Sequence, residues 1–197
     1  MSYVIPSAGL SLSAQERLRG MAERMVKLRL ANKLNVPQAK ALDPVNPAII
    51  VRDADYVTDF ILPNAIIGLA GWLSMPLAAI AGMYALFASS VPGIVTPTVL
   101  NNQAVVFYGV DILLADAAAE NVTQIIFGVG QANNRRAQFD LEGLYPHQAV
   151  SGFFSQPVCY DPQEIMNVQI RARIATGVGA RVRLATLVAE PTQQTVI

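Results

Sequence analysis

The first clear periodicity along the chain is that of an amphipathic helix. Between residues 13 and 34, large apolar side chains recur at three- and four-residue steps with charged side chains between them. Ser13 followed by Glu16 has the spacing of a capping box. The pattern therefore predicts a helix that begins at Ser13 and ends near Asn35. The proline-rich stretch that follows it, up to residue 48, is predicted to be an extended arm.

Beyond residue 100 the apolar positions alternate with a period of two. Runs of β-branched and aromatic residues are separated there by Gly, Asn, Asp and Pro, which is typical of an antiparallel sandwich or barrel. The predicted fold is mainly β (α+β): an antiparallel β-sandwich or jelly-roll-like body at 49–190, preceded by the helix and arm at 1–48 and followed by a tail at 191–197. The predicted strands are 49–62, 103–114, 122–129, 148–155, 164–175 and 180–188.

A long uncharged run interrupts this β pattern. From Phe60 to Val110 there are 51 residues without a charge. Residues 65–88 carry apolar side chains at helical steps, and a helix of that length, about 36 Å, would span a bilayer. Pro76 interrupts the run, and the flanks lack an asymmetry of basic residues. We therefore expect a buried helical insertion at about 64–89, with membrane insertion of residues 65–88 as an alternative.

The last two predicted strands are expected to form a hairpin with a basic face. Arg171 and Arg173 alternate with apolar residues in the first strand, and Arg181 and Arg183 do so in the second. A loop of odd length drawn from TGVGA would place all four on one face. Because arginines in adjacent rows repel each other, this face is a candidate interaction surface. A solvated face, a salt-bridge patch between subunits and a nucleic-acid contact all remain open.

The composition explains why surface contacts matter. The chain is 53% hydrophobic and only 14% charged, with a mean hydropathy of +0.38, whereas about 25% charged residues is usual. The formal charge is zero, so no overall field favours nucleic acid as a partner. Residues 1–40 nevertheless hold seven basic and two acidic residues, and residues 41–59 hold one basic and four acidic residues. Such opposite patches suit contacts between copies of the chain.

Catalytic chemistry is poorly represented in the sequence. One histidine, His147, and one cysteine, Cys159, are too few for a His/Cys metal cluster or a disulfide framework. The segment GVGQAN at 128–133 lacks the third small residue of a dinucleotide-binding motif. Asp53 and Asp55 could bind a hard cation, but a charged strand edge is the favoured interpretation. We therefore predict no enzyme activity, no cofactor, no metal and no small-molecule substrate. A small-ligand-binding β-barrel is kept as a further alternative.

A basic helix and arm followed by an apolar body of short β-runs resembles a bacteriophage virion structural protein. Over about residues 49–189 the ordering of strands is similar to the jelly-roll cement or coat proteins of phage capsids. That resemblance implies a capsid subunit that binds copies of itself and other capsid subunits. It also implies a location in the virion after synthesis in the host cytoplasm. Candidate arm contacts with neighbouring subunits are the apolar residues Val4, Ile5, Leu10 and Leu12.

Overall fold

A computed structural model describes residues 2–54, 73–74, 82–85, 98–112, 122–130, 134–147, 151–173 and 181–192. Within these ranges the chain forms two α-helices and ten β-strands, with 3₁₀ turns at Ser7–Gly9 and Glu142–His147. The helices are α1 (Leu12–Leu34) and α2 (Gln38–Ala41). The strands are β1 (Ser2–Pro6), β2 (Ile49–Asp53), β3 (Leu73–Ser74), β4 (Gly82–Ala85), β5 (Ala104–Ile112), β6 (Val122–Val129), β7 (Asn134–Asp140), β8 (Ser151–Tyr160), β9 (Met166–Ala172) and β10 (Arg181–Pro191).

Eight of these strands pair as one long hairpin folded over on itself. β6 pairs with β7, β5 with β8, β4 with β9 and β2 with β10, all antiparallel. Successive nested pairs fall alternately into two sheets, ordered β2-β10-β5-β8 and β4-β9-β6-β7. This nested order is that of a jelly roll, a double-sheet architecture of eight strands. The β-sandwich, jelly-roll-like fold expected from the sequence is therefore confirmed.

The remaining two strands extend the sandwich at its sides. β1 lies between β7, to which it is parallel, and β8, to which it is antiparallel. It therefore joins the two sheets along one side. β3 pairs with the beginning of β10. Neither β1 nor β7 is predicted by the sequence analysis.

The space between the sheets is filled by aromatic and aliphatic side chains. Phe107 and Phe154 come from one sheet, and Phe127 and Phe139 come from the other. The Phe107 and Phe127 ring centroids lie 5.3 Å apart, and the Phe139 and Phe154 rings stack at 4.3 Å. Tyr160 is fully buried beside them, and its hydroxyl donates a hydrogen bond of 2.8 Å to a β6 carbonyl. Ring contacts of this kind add to the stabilisation from burial itself.

Helix α1 covers the outer face of the β2-β10-β5-β8 sheet. Its fully buried residues Ala22, Val26 and Leu30 belong to a second apolar cluster that includes Val106 of β5 and Leu187 of β10. The body is therefore a two-sheet sandwich with one helical layer outside it. The amphipathic helix predicted from the sequence is confirmed, and it packs on the body.

The two ends of α1 are set by capping groups. Ser11, and not the predicted Ser13, is the N-cap, because its side chain accepts a hydrogen bond from the Ala14 N–H. Asn35 ends the helix in the left-handed conformation, with φ of 55°, as asparagine does more readily than most residues. The predicted end of the helix is therefore confirmed, and the predicted start lies two residues too late.

The extended arm predicted up to residue 48 is wrong for part of its length. Residues 38–41 form α2, and Ala41 is fully buried in the cluster beneath α1. The Ala48 N–H also donates to the Lys40 carbonyl at 2.9 Å. Prolines punctuate this stretch without preventing a short helical turn that begins directly after Pro37, because proline is well tolerated at the start of a helix.

The helical insertion predicted at about 64–89 is wrong where the structure describes it. Residues 73–74 and 82–85 are strands, paired with β10 and β9. Apolar periodicity over a short run does not distinguish a buried strand from a helix. The rest of residues 64–89 lies outside the described residues. Of the helices that are described, none combines the length and the apolar character of a membrane span.

Candidate interaction surfaces

The structure does not bring the four predicted arginines onto one face. β9 pairs with β6 and β4, whereas β10 pairs with β5, β2 and β3, so the predicted hairpin is wrong. Consecutive strands of a jelly roll are joined by crossings between the two sheets, and the β9–β10 connection is one of these. Arg171 and Arg183 consequently lie on opposite outer faces of the sandwich, because their neighbours Ile170 and Leu184 point inward. The side chain of Arg181 lies outside the described residues.

Two of these arginines have carboxylate partners within the chain. Arg183 binds Asp111, on the adjacent strand β5, with 2.7 Å between Nη2 and Oδ2. Arg173 binds Glu142 in the 3₁₀ turn before β8. Because β9 and β10 lie in different sheets, the predicted repulsion between adjacent rows of arginines does not arise. A contact of Arg171 or of the other three with a neighbouring molecule stays a prediction.

The apolar residues proposed as arm contacts divide into two groups. Val4 and Ile5 lie in β1, opposite Phe154 and Phe153 of β8, and Val4 is buried in the chain's own core. Leu12 is 72% exposed at the first turn of α1. A role for these residues, and for the partly exposed Leu10, in binding another subunit stays a prediction.

Helix α1 presents a basic and apolar outer ridge. Arg17, Met21, Arg24 and Leu28 follow one another at steps of four and three, which places them on one face of a helix. The two arginines are exposed, and Met21 is 55% exposed. This ridge faces away from the sheet that α1 covers, so a partner can reach it directly.

Ion pairs attach both halves of α1 to the body. Arg19 bonds Asp53 of β2 at 3.1 Å, which gives one carboxylate of the predicted acidic strand edge an intrachain partner. Arg29 bonds Asp161 at 3.2 Å, and Lys33 lies 4.0 Å from the same carboxylate. Asp55, the second member of the predicted acidic pair, lies outside the described residues.

A more buried pair lies where β7 meets the connection between β8 and β9. Arg136 binds both carboxylate oxygens of Glu164, at 2.7 and 2.8 Å, and also donates to the Cys159 carbonyl. Its guanidinium lies 5.0 Å from the centre of the Tyr160 ring, within reach of a cation–π interaction. Burial by itself would raise the pKa of Glu164, but the hydrogen bonds from Arg136 and from the Asp161 N–H outweigh it, and the pKa lies below its ordinary value.

In the part of the chain that the structure describes, the residues with catalytic potential are not brought together. Cys159 is buried in the cluster under α1, and burial raises its pKa to about 12, so the thiol stays protonated and packs as a small apolar residue. His147 ends the 3₁₀ turn before β8, and its side chain lies outside the described residues. The segment with Gly128 and Gly130 joins two antiparallel strands, β6 and β7, where a dinucleotide site requires a strand followed by a helix.

The chain matches no protein-family model and no curated protein. Among solved structures it is similar to a chain of the acidic stable capsid of Helicobacter pylori bacteriophage KHP30, with a TM-score of 0.32 and 10% identity over 60% of this chain and 92% of that chain. It is also similar to a chain of the virus-like particle of extra small virus from the prawn Macrobrachium rosenbergii. That second match has a TM-score of 0.28 and 11% identity, over 76% of this chain and 87% of the other. Because both likenesses are distant, we base the proposed function on the residues of this chain.

Proposed function

We propose that this chain is a non-enzymatic structural subunit of a virion, a cement or coat protein that stabilises a shell through protein–protein contacts. The observation that carries the proposal is a jelly-roll strand order whose interior is filled with packed side chains. A small-molecule site is usually a concave cavity with a few convergent polar groups. Among the described residues, aromatic rings occupy that position between the two sheets, and the proposal therefore assigns binding to the outer surface.

The outer surface supports contacts in more than one direction. Exposed apolar side chains lie at the start of α1, on its outer ridge, in the loop before β2 and in the turn before β5. A shell subunit touches several neighbours at once, and linked contacts of modest strength then add to a stable assembly. The exposed apolar residues in these places are Leu12, Met21, Val45 and Leu100.

The expected partners are copies of the chain and other capsid subunits. The exposed arginines of the outer ridge suit an acidic protein surface and would set the register of the contact. Nucleic acid is not the favoured partner, because the net charge is zero and aromatic residues are not interleaved with the ridge arginines. The proposal places the protein in the virion, after synthesis in the cytoplasm of the host.

Assembly of the purified chain tests this proposal. A coat protein should form closed or sheet-like lattices in electron micrographs as the protein concentration rises. A cement protein should stay small alone and co-sediment with purified shells of its own virus. Reversing the ridge charges with Arg17→Glu and Arg24→Glu should weaken either behaviour, whereas Lys40→Glu on α2 serves as the matched control. A chain that neither forms a lattice nor binds such shells would contradict the proposal.

A further inference from the structure

Among the described residues, one row of backbone hydrogen-bonding groups on strand β2 has no backbone partner, although the Asp53 carbonyl accepts a hydrogen bond from the Arg52 guanidinium at 3.4 Å. The Ala54 N–H donates to Thr186 and the Thr192 N–H donates to Ala48, and the register between β2 and β10 is regular between these points. In an antiparallel pair, alternate residues exchange hydrogen bonds with the partner. Ile50 and Arg52 therefore face β10, and Ile49, Val51 and Asp53 direct their N–H and C=O groups to the other side. Within the described residues, Ile49 and Val51 have no partner there.

The edge of β2 carries only part of the usual protection against pairing with another strand. Natural proteins blunt exposed edges with short strands, charged side chains, proline or bulges, and β2 has the first two, with five residues and the charged side chains of Arg52 and Asp53. The first three residues of β2 are Ile49, Ile50 and Val51, and the strand has no bulge against β10. Its two charged residues already have partners in the chain, Arg52 with Glu190 and Asp53 with Arg19.

Exposed apolar surface adjoins the same edge. One shallow depression at the beginning of β2 is lined by the apolar residues Val45, Pro47, Ile50 and Pro191 and by the polar residues Asn46, Asn102, Glu190 and Thr192. Val45 is 79% exposed and Ile50 is 40% exposed. A strand added to β2 would run beside this depression, so backbone pairing and apolar burial would occur together.

We infer that a second copy of this chain adds its own β2 to the open edge, antiparallel and related by a two-fold axis at Val51. The edge is self-complementary, because Val51 can donate to and accept from Val51 of the second copy. Ile49 then pairs with Asp53 of the second copy on each side of the axis. This register uses all three outward-facing residues of both strands, and a shift in either direction loses at least one pair.

The described residues of the body leave room for this contact. Helix α1 packs over β5 and β10 as well as β2, so its axis lies inward from the open edge. With strands about 4.8 Å apart and helices about 10 Å across, the two α1 helices would lie side by side without overlap. Ile50 and Val51 of both copies would form an apolar centre on the two faces of the joined sheets.

Two substitutions test the contact, and size-exclusion chromatography with light scattering on the full chain measures the result. Wild type should be a dimer. Val51→Pro removes the central outward N–H, and Ile50→Lys places a charge at the apolar centre, so both should yield monomers with an unchanged circular dichroism spectrum. Met21→Lys, an equivalent change on the outer ridge, should remain dimeric. A monomeric wild type, or dimers that persist in both edge variants, would overturn the inference.

Cysteine cross-linking tests the register independently of stability. Val51 meets its own copy on the axis, at a Cα separation of about 5.5 Å that a disulfide can bridge. Val51→Cys should therefore give a covalent dimer on mild oxidation, whereas Asp53→Cys, which faces Ile49 of the second copy, should not. The native Cys159 is buried and should not react. Equal cross-linking of both variants would overturn the two-fold register.

If the chain is a shell subunit as proposed, the β2–β2 contact is one of its contacts with a copy of itself, and to that extent the inference rests on the proposed function. The two fail in different ways. A chain that dimerises through Val51 but neither forms lattices nor binds shells contradicts the virion role and leaves the contact intact. A chain that forms lattices unaffected by Val51→Pro contradicts the contact and leaves the virion role intact.

Discussion

The strands at the two long sides of the sandwich, β1 and β2, are both short apolar strands but differ in their pairing. β1 and β2 are both five residues long, and both carry adjacent aliphatic residues near their centres. β1 lies between two strands and joins the sheets, whereas β2 has β10 on one side and no described strand on the other. Local sequence alone therefore does not decide whether a short apolar strand closes a fold or leaves an edge for a partner.

The close packing around β1 shows what closure requires. Gly152 of β8 lies directly opposite Pro6, and a Cβ atom added there would lie 2.9 Å from the Ile5 carbonyl oxygen and 3.0 Å from Leu144. The Ser7 hydroxyl also hydrogen-bonds to the Ser151 carbonyl at 3.0 Å. β1 thus fits against β8 because glycine leaves space for it at this position.

The largest expected change in the free energy of unfolding comes from placing a side chain at Gly152, in the space between β8 and β1. Gly152→Ala should lower the free energy of unfolding by about 1–3 kcal/mol, the usual cost of forcing extra atoms into a packed region. Chemical denaturation measures this change. Gly143→Ala is the matched control, because a Cβ there would meet no atom within 4 Å. Equal stability of the two variants would show that β1 is not held tightly against β8.

Sequence patterns predict the strands that are rich in β-branched and aromatic residues, although β5 and β6 are buried along nearly their whole length and do not alternate with period two. β5 and β6 lie within the predicted runs, and the apolar residues of β10 follow the expected alternation. β7 was not predicted, because in NRRAQFD only Phe139 is buried and the charged residues conceal the pattern. β8 begins at Ser151 and continues to Tyr160, beyond the predicted range of 148–155.

Pairing was harder to predict than the strands themselves. A short loop between 175 and 180 favours a hairpin when only sequence distance is considered. In the structure β9 and β10 belong to different sheets, because the nested order pairs β9 with β4 and β10 with β2. The strand order depends on contacts between residues far apart in the chain, such as Val51 with Ala189, and local sequence patterns do not indicate such contacts. The predicted β9–β10 hairpin is wrong for that reason, while an interaction role for its four arginines stays a prediction.

An effect of intermediate size on folding stability is expected for an ion pair on the closed side of the sandwich, and an acid titration measures it. Arg136 of β7 lines one small depression with Ser2 of β1, so the Arg136–Glu164 pair lies beside the closing strand. Because the pKa of Glu164 is lowered in the folded state, its ionised form stabilises the fold at neutral pH. That stabilisation is lost as the pH falls through the lowered pKa of Glu164.

Glu164→Gln should therefore reduce the unfolding free energy by about 1 kcal/mol at pH 7, a value discounted for the partial exposure of the pair. The difference from wild type should shrink as the pH falls through the lowered pKa of Glu164, because the wild-type carboxylate is then protonated too. Glu16→Gln, on the exposed side of α1, is the control. A difference that stays constant between pH 7 and pH 3 would contradict the assignment to Glu164 ionisation.

The smallest expected change in the free energy of unfolding is at the open edge of β2. It tests the contrast between the paired strand β1 and the edge strand β2 most directly. Val51→Pro removes an N–H that bonds nothing within the described chain, and proline is tolerated on edge strands when its nitrogen faces outward. Its free energy of unfolding, measured at a concentration low enough to hold the protein monomeric, should fall by less than about 1 kcal/mol. Ile50→Pro, one residue earlier, removes an N–H directed at β10 and leaves a carbonyl unpaired, so it should cost about 1–3 kcal/mol. Equal costs at the two positions would mean that both sides of β2 are paired within one chain, and the contrast between a closed and an open side would then be wrong.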